Sequence, residues 1–327
     1  MTLVLTASQL ERLVDRPATI AAVSRVFAEI AAGEASQPGP TSMATDAGTG
    51  RYILMSALSD ATGTAAVKLL ADVPDNARRG LPTQRSSILV VDRADGEPVA
   101  LLHGGVPTRV RTAAASAVAT DVLARADSRV LGLVGAGALA REHVAALSGV
   151  RSFERLVVWS RTRASAEALA ADIAWGGEVD VASGVRDVFD AADVVCTLTP
   201  SVAPIVSGGW LRPGQHVNVV GARPRADERE VDGETMRRAS VWVDDRATAE
   251  TKSGDLLLAV AEGAVALDDV VGTIGETIAG RVRGRRDDAE ITLFDSVGIG
   301  AQDLAIADLL VRAARERGIG TEIDLGA

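Results

Sequence analysis

The sequence predicts an α/β protein: a Rossmann-type, doubly wound parallel sheet plus an N-terminal α+β domain with an antiparallel sheet. Three observations lead there. After about residue 128, short apolar runs alternate with helical stretches, the βαβ pattern of a parallel sheet. Between Tyr52 and Leu102, four β-like runs follow one another with turn signals and no helix between them, which reads as antiparallel. Gly135-Ala-Gly137-Ala-Leu-Ala140 lies where an apolar strand gives way to a helix, the setting that gives a glycine-rich turn its meaning.

Taken in order, LVL at residues 3–5 predicts a strand. Thr6-Ala-Ser-Gln9 then predicts a capped helix, continued through Ile20, Val23, Phe27 and Ile30 to an end near Gly33. Residues 34–50, rich in Pro, Ser, Gly and Thr, read as loop. YILMSAL, AAVKLLADV, SSILVVD and PVALLHG are the four sheet strands, and a helix of small residues is expected from Thr112 to Ala126. RVLGLVGAG, RLVVWS, residues 179–182, DVVCTLT, HVNVVGA and SVWVDD supply the parallel strands, with helices over 139–147 and 163–173. The last helix, AQDLAIADLLVRAARERG, is expected to return to the first domain. The predicted division is therefore 1–112 with 301–327 as one domain, for which the family resemblance drawn below implies substrate binding and dimerisation, and 113–300 as an NAD(P)-binding domain carrying the glycine turn. The run Arg281–Asp288, of mixed sign, reads as solvated loop.

A chain of 327 residues is too long for one ordinary core. With 47% hydrophobic and 24% charged residues, wholesale disorder is excluded. The 3% aromatic content argues against base-stacking surfaces, and a net charge of −10 repels phosphate backbones and anionic lipids. No nucleic acid or membrane partner is therefore expected. A single cysteine, Cys196, forbids an internal disulfide. His103, His143 and His216 have no ligand spacing, so no metal is expected. With no leader-like or membrane-spanning run, a cytoplasmic protein with a small-molecule ligand is the expectation. Cys196, His103 and His216 are read as packed or surface side chains.

In the glycine turn, Gly135 permits the tight bend, Gly137 lets backbone approach a pyrophosphate, and Ala140 allows close helix–strand contact. The free N–H groups of the helix start favour phosphate. The end of the second Rossmann strand reads Trp159-Ser160-Arg161-Thr162-Arg163. No carboxylate stands there to accept the ribose hydroxyls of NAD, whereas a hydroxyl and two guanidiniums suit a 2′-phosphate, so the expected cofactor is NADPH/NADP, with NAD possible. Of 34 basic residues only Lys68 and Lys252 are lysine. Lys68 stands inside an apolar strand, either snorkelling from an edge or buried and in need of an anion. Arg111, just before the predicted helix at Thr112, could clamp a carboxylate together with that helix start.

The strand lysine, the Arg-Thr-Ala-Ala helix start, GAGxxA, WSRT, HVNVVGA, KSGDLLL and FDSVGIGAQDLA occur in this order. This series resembles the ornithine cyclodeaminase/μ-crystallin family from Gln37-Pro38 to the C-terminal helix. The family comprises cyclodeaminases, alanine dehydrogenases and NAD(P)H-dependent imine reductases, typically homodimers built through the N-terminal sheet. The resemblance implies that Lys68 and Arg111 hold a substrate carboxylate. It implies cofactor contacts from Thr112, Gly135, Gly137, Ala138 and Leu139, from Ser160, Arg161 and Thr162, from Thr197, Leu198, Val220, Gly221 and Ala222, and from Ser296, Val297 and Gly298. Arg51, Met55 and Arg223 are further candidate substrate contacts.

Two departures from the family stand out. Pro40 occupies the place of a carboxylate-binding arginine. Arg223 follows Gly221-Ala222 where cyclodeaminases and alanine dehydrogenases carry an aspartate. Asp227, Glu228 and Glu230 read as the start of the next element. The expectation is an NADPH-dependent reductase of a carboxylate-bearing imine, of the ketimine or pyrroline-/piperideine-carboxylate type, acting on a small imino or amino acid as a homodimer. A cyclodeaminase, an amino-acid dehydrogenase using NAD and a non-catalytic NADPH-binding protein are the alternatives.

Overall fold

The structure, a computed structural model, describes residues 1–45 and 50–326. Its elements in order are β1 (Thr2–Leu5), α1 (Ala7–Leu13), α2 (Arg16–Ala32), β2 (Ala35–Ser36), β3 (Thr41–Ala44), β4 (Arg51–Ser59), β5 (Thr64–Asp72), β6 (Gln84–Asp92), β7 (Pro98–His103) and α3 (Gly105–Leu123). The chain continues with β8 (Val130–Val134), α4 (Ala138–Leu147), β9 (Arg155–Trp159), α5 (Arg163–Asp172), β10 (Glu178–Val181), α6 (Val185–Ala191), β11 (Val194–Thr197), β12 (His216–Val219), α7 (Gly233–Arg238) and β13 (Ser240–Val243). It ends with α8 (Arg246–Lys252), α9 (Gly254–Ala261), β14 (Gly272–Thr273), α10 (Ile274–Ile278), β15 (Thr292–Asp295), α11 (Gly300–Arg317) and β16 (Thr321–Ile323). Two compact units result: Met1–Arg111 with Ile299–Ala327, and Thr112–Gly298.

In the first unit, Gln9 Oε1 accepts from Thr6 N at 2.9 Å and starts α1, while Asp15 caps α2, which ends at Gly33 in the left-handed region. The sheet order is β16-β1-β7-β6-β5-β4-β2, with β3 also on β4. Its pairs are antiparallel except β1 with β7, so the sheet is mixed rather than purely antiparallel. The stretch 34–50 is not all loop: β2 and β3 both pair with β4, satisfying backbone groups that its edge would otherwise expose. Residues 46–49 of that stretch lie outside the described residues.

Strand alternation gives this sheet two characters. Ile53, Met55, Ala57, Ala66, Lys68, Ile88 and Val90 point inward, where α11 packs on β4, β5 and β6. On the other face, Leu54 stands opposite Leu69, Val67 opposite Leu89 and Leu89 opposite Leu101. Leu69, Leu101 and Leu58 are at least 39% exposed, an apolar outer surface on a chain otherwise rich in charge.

The second unit holds eight parallel strands in the order β10-β9-β8-β11-β12-β15-β13-β14. Strands buried on both faces read as continuous apolar runs, as VLGLV and LVVW do. Strand order reverses between β8 and β11. The carboxyl ends of the strands at such a switch point form the crevice where nucleotides bind.

The helix expected from Thr112 begins seven residues earlier, at Gly105. Gly104-Gly105 and Pro107 suggest a turn. Pro107, however, falls in the first helical turn, where a missing N–H costs nothing because those donors have no intrahelical partner. Arg111 therefore lies in the second turn of α3. Its pairing with a helix start at Thr112 is corrected.

Candidate active site

In the first unit, β5 runs between β4 and β6, so Lys68 is not on an edge and does not snorkel. Met55 and Ile88 are its cross-strand neighbours, and it is 1% exposed. Its inward direction carries the ammonium to the start of α11, where Lys68 Nζ lies 2.7 Å from Asp303 Oδ2. Arg111 Nε donates to Asp303 Oδ1 at 3.1 Å, and its Nη1 donates to Gln302 Oε1 at 2.5 Å. Arg111 is 5% exposed and Asp303 1%. Burial pushes Lys68 down to about 8; Asp303 opposes that fall and Arg111 adds to it. Two cations thus share one carboxylate away from water, leaving one positive charge that a single carboxylate would neutralise.

Met55 is buried beside Lys68, and Arg51 opens the same strand opposite Asp72. Pro40 is buried between β2 and β3. Gln37 Oε1 accepts from Ala301 N at the start of α11 at 3.4 Å. Asp303 and Gln302 escaped the sequence reading although both stand in the quoted FDSVGIGAQDLA. Nothing local marks a carboxylate whose partners are 235 and 192 positions away.

In the second unit, β8 ends at Val134 and the chain turns at Gly135, whose φ of +125° disfavours any side chain. A Cβ there would also meet the Leu198 carbonyl oxygen at 2.9 Å. Gly137 caps α4 without a side-chain bond, and a Cβ on it would meet nothing within 4 Å. Gly137 and Ala138 are exposed and Leu139 half-buried, so the first turn of α4 presents free donors to open space. That arrangement fits a pyrophosphate. At the end of β9, Ser160 is half-buried, whereas Arg161 and Thr162 are exposed. Arg163 Nε donates to Glu167 at 2.8 Å, while Arg161 makes no ion pair with a described residue. Thr112 lies on α3 and is 9% exposed.

Thr197 ends β11 and Leu198 follows it, and Val220, Gly221 and Ala222 follow β12. Glu230 binds these two loops together and does not start a helix. Its Oε1 accepts from Thr199 N and Thr199 Oγ1, and its Oε2 accepts from Thr197 Oγ1 and Gly221 N, each at 2.7 Å. Burial raises its pKa, and these four bonds oppose the rise. Asp227 and Glu228 likewise precede α7. Arg223 forms a two-pronged pair with Glu228 at 2.6 and 3.0 Å, and Arg225 adds a bond to Glu228 at 2.7 Å.

Arg223, Val220, Ala222, Lys252, Ser296 and Val297 line one small cavity. Gly298 N donates to Asp244 Oδ2 at 2.6 Å, and Ser253 Oγ donates to Asp295 Oδ2 at 2.6 Å. Burial pushes Asp244 up to about 7 and Asp295 up to about 6.

Two of the three histidines and the cysteine are packed side chains. His143 bridges Leu139 O and Ser116 Oγ with its pKa pushed down to about 4 by burial. His216 bonds Thr292 and Asn218 and falls to about 3. The buried Cys196 thiol is pushed up to about 12, and His103 is exposed. In the run 281–288, Arg285 is not merely solvated: it donates to the carbonyls of Leu123 and Gln215 and to Thr292 Oγ1. No group of three or more metal-binding side chains occurs among the described residues. None of their helices is long and apolar enough to cross a membrane.

A glycine turn open at a Rossmann switch point, with a buried cationic clamp in a separate α+β unit, defines a two-domain protein of the NAD(P)-binding class. Residues 1–318 match the ornithine cyclodeaminase/mu-crystallin family, and the chain belongs to it. It is 37% identical over 257 residues to the ketimine reductase mu-crystallin of Mus musculus, covering 79% of this chain and 78% of the mouse protein. The Δ1-pyrroline-2-carboxylate reductase of Thermococcus litoralis, solved with NADH and L-proline, superposes with a TM-score of 0.94. Identity is 34%, with 98% of this chain and 100% of that chain covered. An archaeal alanine dehydrogenase dimer with bound NAD gives a TM-score of 0.93 at 31% identity, with 99% of both chains covered.

Proposed function

We propose that this protein is an NADPH-dependent reductase of an imine bearing a carboxylate, of the ketimine or cyclic pyrroline-/piperideine-carboxylate type. The observation that carries the reading is the Lys68–Asp303–Arg111 cluster, cationic by one charge and sealed from water. Reduced nicotinamide, when bound, supplies a hydride to the C=N carbon. Lys68 and Arg111 hold the carboxylate and so fix which face of the imine is presented, the positioning that makes a bimolecular step effectively unimolecular. The named reductases among the relatives support this class.

Reduction suits the site better than amine oxidation. Oxidising an amine first requires a base to take the ammonium proton. At the family aspartate's place stands Arg223, a guanidinium that offers donors but no acceptor for that proton and is already paired with Glu228. Preference for the phosphorylated nucleotide rests on Arg161, which has no acidic partner among the described residues, and on the lack of a carboxylate at the end of β9. We also propose a homodimer joined through the apolar outer face of the first unit's sheet, around Leu69, Leu89 and Leu101.

NADPH oxidation on adding Δ1-pyrroline-2-carboxylate, with one proline formed per NADPH consumed, is the expected result. Lys68→Ala and Arg111→Ala should each lower kcat/KM by at least about tenfold, since each removes a charge-assisted contact of about 1.5–3 kcal/mol. NADPH affinity should stay within a few fold. Full activity in either variant would remove that residue from the site.

A further inference from the structure

We propose that Asp303 is a positioning residue for carboxylate binding. It holds Lys68 on one oxygen and Arg111 on the other, and it keeps the lysine charged so that the pair receives one monocarboxylate. This inference rests on the functional reading above and adds the residue that sets the working pH range of the clamp.

Asp303 divides its two oxygens between the cations, Oδ2 at 2.7 Å from Lys68 Nζ and Oδ1 at 3.1 Å from Arg111 Nε. Its neighbour Gln302 turns its own oxygen to Arg111 Nη1. That leaves Gln302 Nε2, in a residue with 0% exposure, without a partner among the described residues. A buried amide donor without an acceptor costs free energy unless something completes it. An anion's oxygen would. From β4 and β6, Met55 and Ile88 face Lys68, and neither titrates. From α3 and α11, the charged groups acting on it are Arg111 and Asp303. Lys68 is buried and stands near 8, held that high by Asp303 alone. Without this carboxylate, burial and Arg111 act unopposed, so the lysine gives up its proton more readily and Arg111 holds more of the substrate charge.

Binding of pyrrole-2-carboxylate, an unreactive planar monocarboxylate, measured by titration calorimetry across pH tests this. In the wild type the Kd should be level from about pH 6 to neutral pH, above the range where the probe's own carboxylate takes up a proton. It should then rise about tenfold per pH unit above about 8, as one proton leaves the clamp. Asp303→Asn should weaken binding about tenfold or more at neutral pH and move the break at least about one unit to lower pH. Asp303→Glu, which restores the charge, should return the break towards the wild-type position. NADPH affinity should be unchanged in both. An Asp303→Asn protein with the wild-type Kd and break would overturn the inference while leaving the functional reading in place. A wild type that binds the carboxylate at no pH would overturn both. Should Asp303→Asn fail to fold, the wild type still decides. Calorimetry in two buffers of different ionisation enthalpy should show uptake of about half a proton per carboxylate near pH 8 and almost none two units lower. No uptake near pH 8 refutes the linkage.

Discussion

Replacing Glu230 by Gln changes one atom and tests how the nucleotide-side loops are held. Both oxygens of Glu230 accept a backbone N–H, Thr199 on Oε1 and Gly221 on Oε2, and each accepts a threonine hydroxyl as well. The hydroxyls can turn to donate elsewhere or to accept from an amide. A backbone N–H cannot. Whichever way the glutamine amide is oriented, one of the two N–H groups faces an NH2 and is left buried without an acceptor, at about 1–3 kcal/mol. Taking a negative charge from beside Asp255 and Asp295, whose pKa values it raises, returns part of that loss. A net destabilisation of about 2 kcal/mol lowers Tm by about 4–8 °C for a domain of this size. Thr197 ends β11 and Gly221 lies just past β12, both among the cofactor contacts the family resemblance implies, so NADPH affinity should fall with it. Differential scanning calorimetry and a fluorescence titration with NADPH measure the two effects. An unchanged Tm together with an unchanged Kd would show that the four bonds do not act as described.

Three further outcomes are expected. NADPH should bind at least about tenfold more tightly than NADH, a difference of about 1.4 kcal/mol. Arg161→Asp should reverse that order, whereas Arg163→Ala, which removes a side chain already paired with Glu167, should leave it. Incubation with NAD and ornithine should yield no sustained proline, and steady proline formation would mean that a base other than the family aspartate serves amine oxidation. Asp244 should make stability pH-dependent. With its pKa raised to about 7, the folded state keeps a proton that the unfolded chain releases near pH 4, so unfolding free energy falls as pH rises between those values. Asp244→Asn should therefore show a shallower fall in Tm between about pH 5 and about pH 8, and a slope equal to the wild type's would contradict the assignment.

Much of this was readable from the chain, for a physical reason: the parallel strands, the glycine turn and the capped first helix are encoded by neighbours within a few residues. Where two local rules competed, the reading slipped. Gly104, Gly105 and Pro107 look like a turn, yet they open α3, because the first helical turn tolerates what its interior rejects. For Lys68 the sequence left two readings open. Strand order closed the question by placing β4 and β6 on either side of it. Glu230 and Asp303 were legible only as charges, since what makes them matter is a set of partners on other elements.

The chain leaves the first unit at Arg111 and re-enters it at Ile299, and this has a consequence for biosynthesis. A ribosome delivers β4 to β7 long before it delivers α11 and β16. Until the last segment emerges, Lys68 has no Asp303, the inward faces of those strands have no helix to cover them, and β1 lacks its antiparallel neighbour. The second unit, whose sheet is contiguous in the chain, can close during synthesis, while the flanking unit waits with apolar strands exposed. Production of this protein is therefore exposed to aggregation during that interval, and slowing initiation or supplying a holding chaperone should raise the soluble yield more than stabilising the Rossmann core would.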